Sequence, residues 1–269
     1  MKTRIISGIV MGIIVAAVLA LGFLWEPIVI TIAVALLAAG AVYELLHNAA
    51  GIKCKLSLIL ACAFSFYVPF TRFINEDIGV SLIFVLFGAI IYSSLAAVLV
   101  LKNHSEFGLG QIASLYGFPL VYGGMFFCLS GVINSDSGIY YLLLLLNFSS
   151  VCDMGAYFTG VTCGKHKLCP NISPKKTVEG AIGGVVSSII VTVILSLCFK
   201  KALVLPIVLT IPFCILGMVG DLFASAIKRS VNLKDYGNLI PGHGGILDRV
   251  DSIIMIAPLL YLCITLGVI

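Results

Sequence analysis

Polar residues in this chain gather into short breaks between long apolar runs instead of alternating with them. The runs cover residues 5–24, 27–46, 56–70, 80–101, 111–132, 139–158, 180–199, 203–218 and 252–269. A hydrocarbon core of about 30 Å is crossed by a helix of about 20 residues, and most of these runs reach that length or approach it. The strands of a membrane barrel would read as roughly 10-residue segments of alternating polarity, a pattern not seen here. The spacing therefore predicts an all-α polytopic membrane protein of about nine transmembrane helices. The third and eighth runs are short and the second follows the first at once, so the count is good to one span.

Composition points the same way. Apolar residues make up 61% of the 269-residue chain and charged residues 10%, with a mean hydropathy of +1.18, whereas an ordinary soluble domain is about 25% charged. Disorder is excluded, since disordered chains are poor in apolar residues. Lys2 and Arg4 ahead of the first run, and the small residues Val18 and Ala20 within it, resemble a cleaved signal. A signal core is only about 7–15 residues long, however, so the run is read as a retained helix. The nine cysteines are scattered, and Cys62, Cys128, Cys198, Cys214 and Cys263 fall inside apolar runs, where a thiol behaves as a small hydrophobe. No disulfide framework is implied. There is no basic block with interleaved aromatics, so nucleic acid is not expected as a partner.

Charge placement sets the expected sidedness. With a cytoplasmic N-terminus, one side carries Lys2, Arg4, Lys53, Lys55, Lys102, Lys165, Lys167, Lys175, Lys176, Lys228, Arg229, Lys234 and Arg249, and the other only Arg72, Lys200 and Lys201. That asymmetry follows the positive-inside rule and puts the C-terminus outside. Loops up to about residue 150 are short and bland, while segments 159–179 and 219–251 hold most of the Lys, Asp, Gly and His residues. Residues 1–132 are accordingly expected to form a lipid-facing scaffold, with a homodimer through these helices left open, and residues 133–269 to carry the chemistry at the cytoplasmic face of the cell membrane.

The richest stretch is GDLFASAIKRSVNLKDYGNLIPGHGGILDRVDS, from Gly220 to Ser252. If the eighth helix continues past the membrane edge, Asp221, Ser225, Lys228 and Asn232 share one face, at i, i+4, i+7 and i+11. Asp248 and Asp251 open the next helix at i and i+3. Three carboxylates beside Lys228, Arg229, Lys234 and Arg249 suit either interfacial salt bridging or a divalent-metal phosphate site, since Mg²⁺ takes a few carboxylate oxygens plus phosphates and water. The glycines Gly242, Gly244 and Gly245 around His243 favour the second, because a Gly-rich turn before a helix N-terminus can aim N–H groups at an anion.

A second cluster, from Cys152 to Gly180, places Asp153, Tyr157 and Gly160 at i, i+4 and i+7, with Asp153 inside an apolar run. Ionisable groups at such depth are functional candidates. The lysines that follow suit polyphosphate or anionic headgroups. Cys163, His166 and Cys169 have zinc-like spacing but lack an evident fourth ligand, and the GxGxxA string at Gly108 to Ala113 follows no strand.

The ordered series Ser225, Lys228–Arg229, Lys234–Asp235, Pro241, His243–Gly244–Gly245 and Asp248–Arg249–Val250–Asp251 resembles the signature of the phosphatidate cytidylyltransferase, or CDP-diacylglycerol synthase, family. Asp153, Ala156, Tyr157, Gly160, Gly164, Lys165, Ser173, Pro174, Lys176, Thr177, Glu179 and Gly180 follow its pattern too. Two positions depart: Val161 and Thr162 stand where members commonly carry a basic residue, and Val178 replaces a frequent Trp. The resemblance implies transfer of the cytidylyl group of CTP to phosphatidic acid, with pyrophosphate released. It implies Mg²⁺, with room for a second ion, on Asp221 and Asp248 supported by Asp251. Lys228, Arg229, Lys234, Lys175 and Lys176 would neutralise phosphates, while Ser173 and Thr177 would hydrogen-bond them. Asp153, Tyr157, Glu179, Ser225, His243, Gly244, Gly245 and Arg249 complete the implied substrate site.

Two rivals remain. A CTP-dependent lipid kinase would release CDP, and a transporter would use Asp153 for ion coupling. If the implied metal set is right, Asp248→Asn abolishes cytidylyl transfer while the protein stays folded and inserted; normal turnover in that variant overturns the metal assignment.

Overall fold

The computed structural model describes residues 2–24, 26–75, 77–170, 172–237 and 244–269. These hold nine continuous helical stretches. They are α1 (Lys2–Leu24), α2 (Ile28–Ala49), α3 (Lys55–Ile74), α4 (Ile78–Lys102), α5 (Leu109–Ile133), α6 (Gly138–Cys163), α7 (Val178–Cys198), α8 (Val204–Ser230) and α9 (Leu247–Thr265). Seven of them, α2 to α8, are long and apolar enough to cross a membrane. The protein is a multi-pass membrane protein of all-α architecture, as the hydropathy pattern predicts.

The helix ends differ from the predicted ones in a systematic way. α8 runs to Ser230, past the apolar limit at 218, and α9 starts at Leu247, ahead of 252. An apolar run stops at its first charged residue, but helical hydrogen bonding does not. The extended α8 keeps Asp221, Ser225 and Lys228 on one helix. Asn232 falls beyond its end with a left-handed φ of 56°, a conformation that Asn tolerates well, so it does not share their face.

Segment 159–179 is not the open loop expected. α6 continues to Cys163, and an antiparallel hairpin of β1 (Lys167–Cys169) and β2 (Ser173–Thr177) follows, with Lys167 opposite Thr177 and Cys169 opposite Ser173.

The chain forms two compact units: residues 1–134 with 233–249, and residues 135–232 with 250–269. In the first, small residues with no exposed surface (Ala35, Ala38, Ala41 on α2 and Ala61 on α3) lie buried, while Phe64 stacks on Tyr92 at 4.8 Å. Tyr92 donates its hydroxyl to the Leu115 carbonyl, and Ser130 donates to that of Pro69, so these two buried hydroxyls find partners inside the span.

The second unit is held by a polar core. Residues 147–151 of α6 form a π turn, which disturbs the regular helical ladder. At its start Asn147 donates to the Ser188 carbonyl and the Thr192 hydroxyl, and its own carbonyl accepts from Ser188 Oγ at 3.3 Å. Thr192 in turn meets Thr210 at 2.9 Å, so α6, α7 and α8 are joined inside the membrane. Next to this network α6 and α7 pack through glycines. A Cβ on Gly184 would lie 2.5 Å from the Cys152 carbonyl oxygen, and one on Gly180 would lie 2.7 Å from that of Ala156. Small residues are what allow two membrane helices to approach this closely.

Gly184→Val forces these backbones apart, and overpacking of this kind costs about 1–3 kcal/mol. The melting temperature of the purified protein in detergent is expected to fall. Ile182→Ala, at a position 61% exposed on the same helix, is expected to leave it within about 0.5 kcal/mol of the parent. Equal melting of the two variants contradicts the close packing.

Candidate active site

Where α6, the hairpin and α7 meet, the second unit encloses a cavity of about 490 Å³. Asp153 and Tyr157 come from α6, one turn apart. Lys167, Ser173, Lys175, Lys176 and Thr177 come from the hairpin, and Asp221 from α8. Apolar walls from Ala156, Val161, Leu168, Ala181 and Met218 close the rest. Three lysines against two carboxylates leave the lining with a surplus of positive charge, suited to an anion, while the apolar walls suit a group that is part hydrocarbon.

Lys176 ties the site together. Its Nζ sits 2.5 Å from Asp221 Oδ2, off the line of a directed hydrogen bond and with no other acceptor among the described residues. The ammonium is enclosed, with the Asp221 carboxylate as its one ion-pair partner among the described residues. Thr177 ends the hairpin and caps α7, its hydroxyl oxygen accepting from Gly180 N at 3.1 Å, as N-cap threonines do. Gly160, Gly164 and Gly180 all crowd this hydroxyl; a Cβ on any of them would come 2.9 Å from it.

Glu179 is engaged elsewhere. Its carboxylate accepts from the main-chain N–H of Lys165 and His166 and meets His166 Nδ1 at 2.6 Å. It clasps the entry of the hairpin to the first turn of α7 and does not line the cavity.

On α8, Asp221 and Ser225 are half-buried and Lys228 is buried, whereas Arg229 at the helix end is exposed. Gly220, the residue before Asp221, packs on α9: a Cβ there would lie 3.0 Å from the Asp251 carbonyl oxygen and 2.8 Å from Met255 Cβ. The stretches that carry Asp221 and Asp251 are thus neighbours within this unit. Asp251 Oδ1 accepts from Ser252 N at 2.7 Å.

Asp248 belongs to the first unit. Its Oδ2 accepts from Tyr236 N at 2.8 Å and from Gly245 N at 2.9 Å, which fixes the turn before α9. Gly244 in that turn has φ +88°, and a Cβ there would come 2.9 Å from the same oxygen, so glycine is required on both counts. Lys234 and Arg249 are exposed. Pro241, Gly242 and His243 lie outside the described residues. No group of three or more His, Cys, Asp and Glu side chains placed to hold a metal occurs among the described residues.

Lys167, read from sequence only as one of the lysines suited to polyphosphate or headgroups, lines the same cavity as Val161, so a cation does reach the region where the resemblance leads to a basic residue at 161–162. One residue was missed from sequence. Glu44, on α2, is 4% exposed and takes the N-terminus of α9: Oε1 accepts from Ile246 N at 2.9 Å and Oε2 from Leu247 N at 3.0 Å. The anion expected at that helix start is here the chain's own carboxylate. Gly237 and Gly245 press against it, and a Cβ on Gly237 would come 2.5 Å from Oε1. An acidic residue within the apolar run 27–46 was the available signal, but its partners lie some two hundred residues on.

Membrane-crossing helices with a cation-lined, carboxylate-bearing cavity at their ends define a class, membrane enzymes that work on phosphate groups. Comparison with known proteins narrows it. Residues 2–266 match the cytidylyltransferase family, and the chain belongs to that family. The phosphatidate cytidylyltransferase of Bacillus subtilis strain 168 is 32% identical over 278 aligned residues, 99% of this chain and 98% of the relative. That of Staphylococcus saprophyticus is 45% identical over 127 residues, 46% of this chain and 49% of the relative. The uncharacterized protein YnbB of Escherichia coli K12 is 40% identical over 129 residues, 48% of this chain and 43% of its own.

Removing the Glu44 carboxylate strands two buried donors, each at a cost of about 1–3 kcal/mol. Glu44→Ala is expected to lower the melting temperature clearly and Glu44→Gln, which keeps one acceptor oxygen, to lower it less. Unchanged melting of the alanine variant contradicts the contact.

Proposed function

We propose that this protein transfers the cytidylyl group of CTP to phosphatidic acid, giving CDP-diacylglycerol and pyrophosphate. The observation that carries the reading is the Lys176–Asp221 pair inside a half-apolar, cation-rich cavity, in a chain of the cytidylyltransferase family whose full-length relative from B. subtilis is named for that activity.

In the proposed step an oxygen of the lipid phosphate forms a bond to the α-phosphorus of CTP. The bond to the bridging oxygen breaks, and its electron pair leaves with pyrophosphate. No side-chain nucleophile is needed, since a phosphomonoester is ionised near neutral pH. Catalysis of such a step is mainly positioning and charge neutralisation. Lys167, Lys175 and Lys176 offset the charge of the two polyanions from the hairpin side, and Lys228 and Arg229 add positive charge along α8. The Ser173 hydroxyl donates to a phosphate oxygen. Thr177 can do the same with its proton, its oxygen being already committed to Gly180 N. Glu179 and Tyr157 act as supports for the hairpin and the cavity wall.

Asp153 and Asp221 fit a magnesium ion in the chemistry they offer: two oxygen donors on one cavity, short of a full shell that phosphates and water complete. Asp221, holding a cation in Lys176, is the better placed, and Asp251 stands on the neighbouring stretch of α9 within the same unit. When bound, Mg²⁺ supplies Lewis-acid neutralisation of phosphate oxygens. The excess of Lys and Arg on one side of the spans supports a site at the cytoplasmic face of the cell membrane. Soluble CTP arrives from there. The diacyl substrate enters sideways past Tyr157, Phe158 and Val161, whose side chains are largely exposed.

The test is incubation of purified protein with α-labelled CTP, phosphatidic acid and Mg²⁺. Label is expected in the lipid fraction with an equal yield of pyrophosphate. Lipid labelled only from γ-labelled CTP identifies a kinase and overturns the reading, as does no lipid labelling at all. Lys176→Met and Asp221→Asn are each expected to lower turnover at least about a hundredfold.

A further inference from the structure

A second cavity lies in the first unit, between α2 and α3, and the chemistry above makes no use of it. It is a groove of about 780 Å³. Its polar groups sit at one end, where the two helices join: Lys53 and Lys55 from the connection, and Tyr43 stacked on His47 (centroids 5.2 Å apart) from the last turns of α2. The rest of the lining, including Ala39, Ile59, Ala63 and Phe66, is apolar and runs along the helices into the span. Ile59 is 63% exposed, so the groove opens toward lipid.

The cations at its mouth lack a carboxylate. Lys53 and Lys55 are exposed and form no ion pair among the described residues. Glu106, which shares a separate cavity wall with Lys53, pairs with neither. Glu44, on the adjacent turn, has both oxygens committed to Ile246 and Leu247. His47 uses Nδ1 on Asn48 at 2.8 Å, which leaves the other edge of the ring to the groove. Unpaired positive charge at the end of a hydrocarbon-lined slot is complementary to a lipid with a net negative headgroup, and a zwitterionic lipid offers it no net charge.

We propose that this groove binds an anionic phospholipid of the bilayer, its phosphate between Lys53, Lys55 and His47 and one acyl chain along Ala39, Ile59, Ala63 and Phe66. The site is separate from the cavity assigned to the substrates. Its occupant is a bilayer phosphodiester and not the phosphomonoester consumed in the reaction.

Native mass spectrometry of the delipidated protein tests this, with dioleoylphosphatidylglycerol and dioleoylphosphatidylcholine as probes. Neither is the proposed substrate, so the outcome does not depend on the activity. Wild-type protein is expected to bind phosphatidylglycerol more tightly than phosphatidylcholine. The double variant K53Q/K55Q is expected to lose about tenfold in phosphatidylglycerol affinity and little in phosphatidylcholine affinity. Lys102→Gln, a lysine outside the groove, is expected to change neither. Ala63→Trp, which fills the slot and leaves the charges, is expected to weaken both lipids. Unchanged phosphatidylglycerol binding in K53Q/K55Q and in Ala63→Trp overturns the proposal. So does a wild-type dimer that Ala63→Trp splits without affecting lipid binding, since a second copy of the chain is then what covers the groove.

Discussion

The ion pair between Lys176 and Asp221 is the interaction on which the rest of the second unit's cavity depends. It joins the hairpin, the only sheet among the described residues, to the polar end of α8, and the cavity is the space that remains between them. An ion pair at the end of membrane helices is less screened than one on a soluble surface. A lysine that loses its carboxylate there, or a carboxylate that loses its lysine, carries part of the cost of an unpaired buried charge, since the two side chains are 24% and 32% exposed. Both charges are therefore held in place before any ligand arrives, and a polyanion that displaces one partner supplies a replacement for it.

That arrangement demands a rigid frame behind it, and the frame is built from small and polar residues instead of large apolar ones. Inside a bilayer, apolar side chains gain little by leaving lipid for protein, so association rests on close packing and buried hydrogen bonds. The glycines of α6 and α7 and the Asn147, Ser188, Thr192 and Thr210 network meet that demand. They set the spacing at which Thr177 can cap α7 while lining the cavity.

The spans were legible because twenty-residue apolar runs have one physical reading in a membrane, and all nine observed helices overlap their predicted runs over more than half of their length. α8, and to a lesser degree α6, extend past the end of their runs and α9 starts ahead of its own, and those extensions carry Asp221, Cys163 and Asp248. Hydropathy marks where a helix leaves hydrocarbon; it does not mark where the helix stops. The hairpin was hidden because β1 and β2 together have eight residues, too few for an alternating pattern to stand out from a lysine-rich loop. Lys175, Lys176, Ser173 and Thr177 were found by motif order, since spacing alone could not separate a phosphate clamp from a headgroup contact. Lys167 was seen only as one of several loop lysines, because it acts from the facing strand, and Glu44 was not found, because it acts from a helix distant in the chain.

Glu44 illustrates how a single turn can serve two surfaces. Residues 44–49 wind as a π turn, whose i→i+5 hydrogen bonding shifts the register of the side chains on either side relative to a regular α-helix. Glu44 and Asn48, one helical turn apart, face the segment before α9. Glu44 holds Ile246 and Leu247, and Asn48 donates to the Tyr236 carbonyl at 2.6 Å. The Tyr236 amide in turn donates to Asp248. Tyr43 and His47, also one turn apart, stack on the other side and line the groove between α2 and α3. His47 contacts Asn48 directly. The buried carboxylate that fixes the segment bearing Asp248 is thus covalently part of the element that shapes the groove. A change in the pitch of this turn alters both surfaces together, because Glu44 and His47 stand on the same turn of backbone.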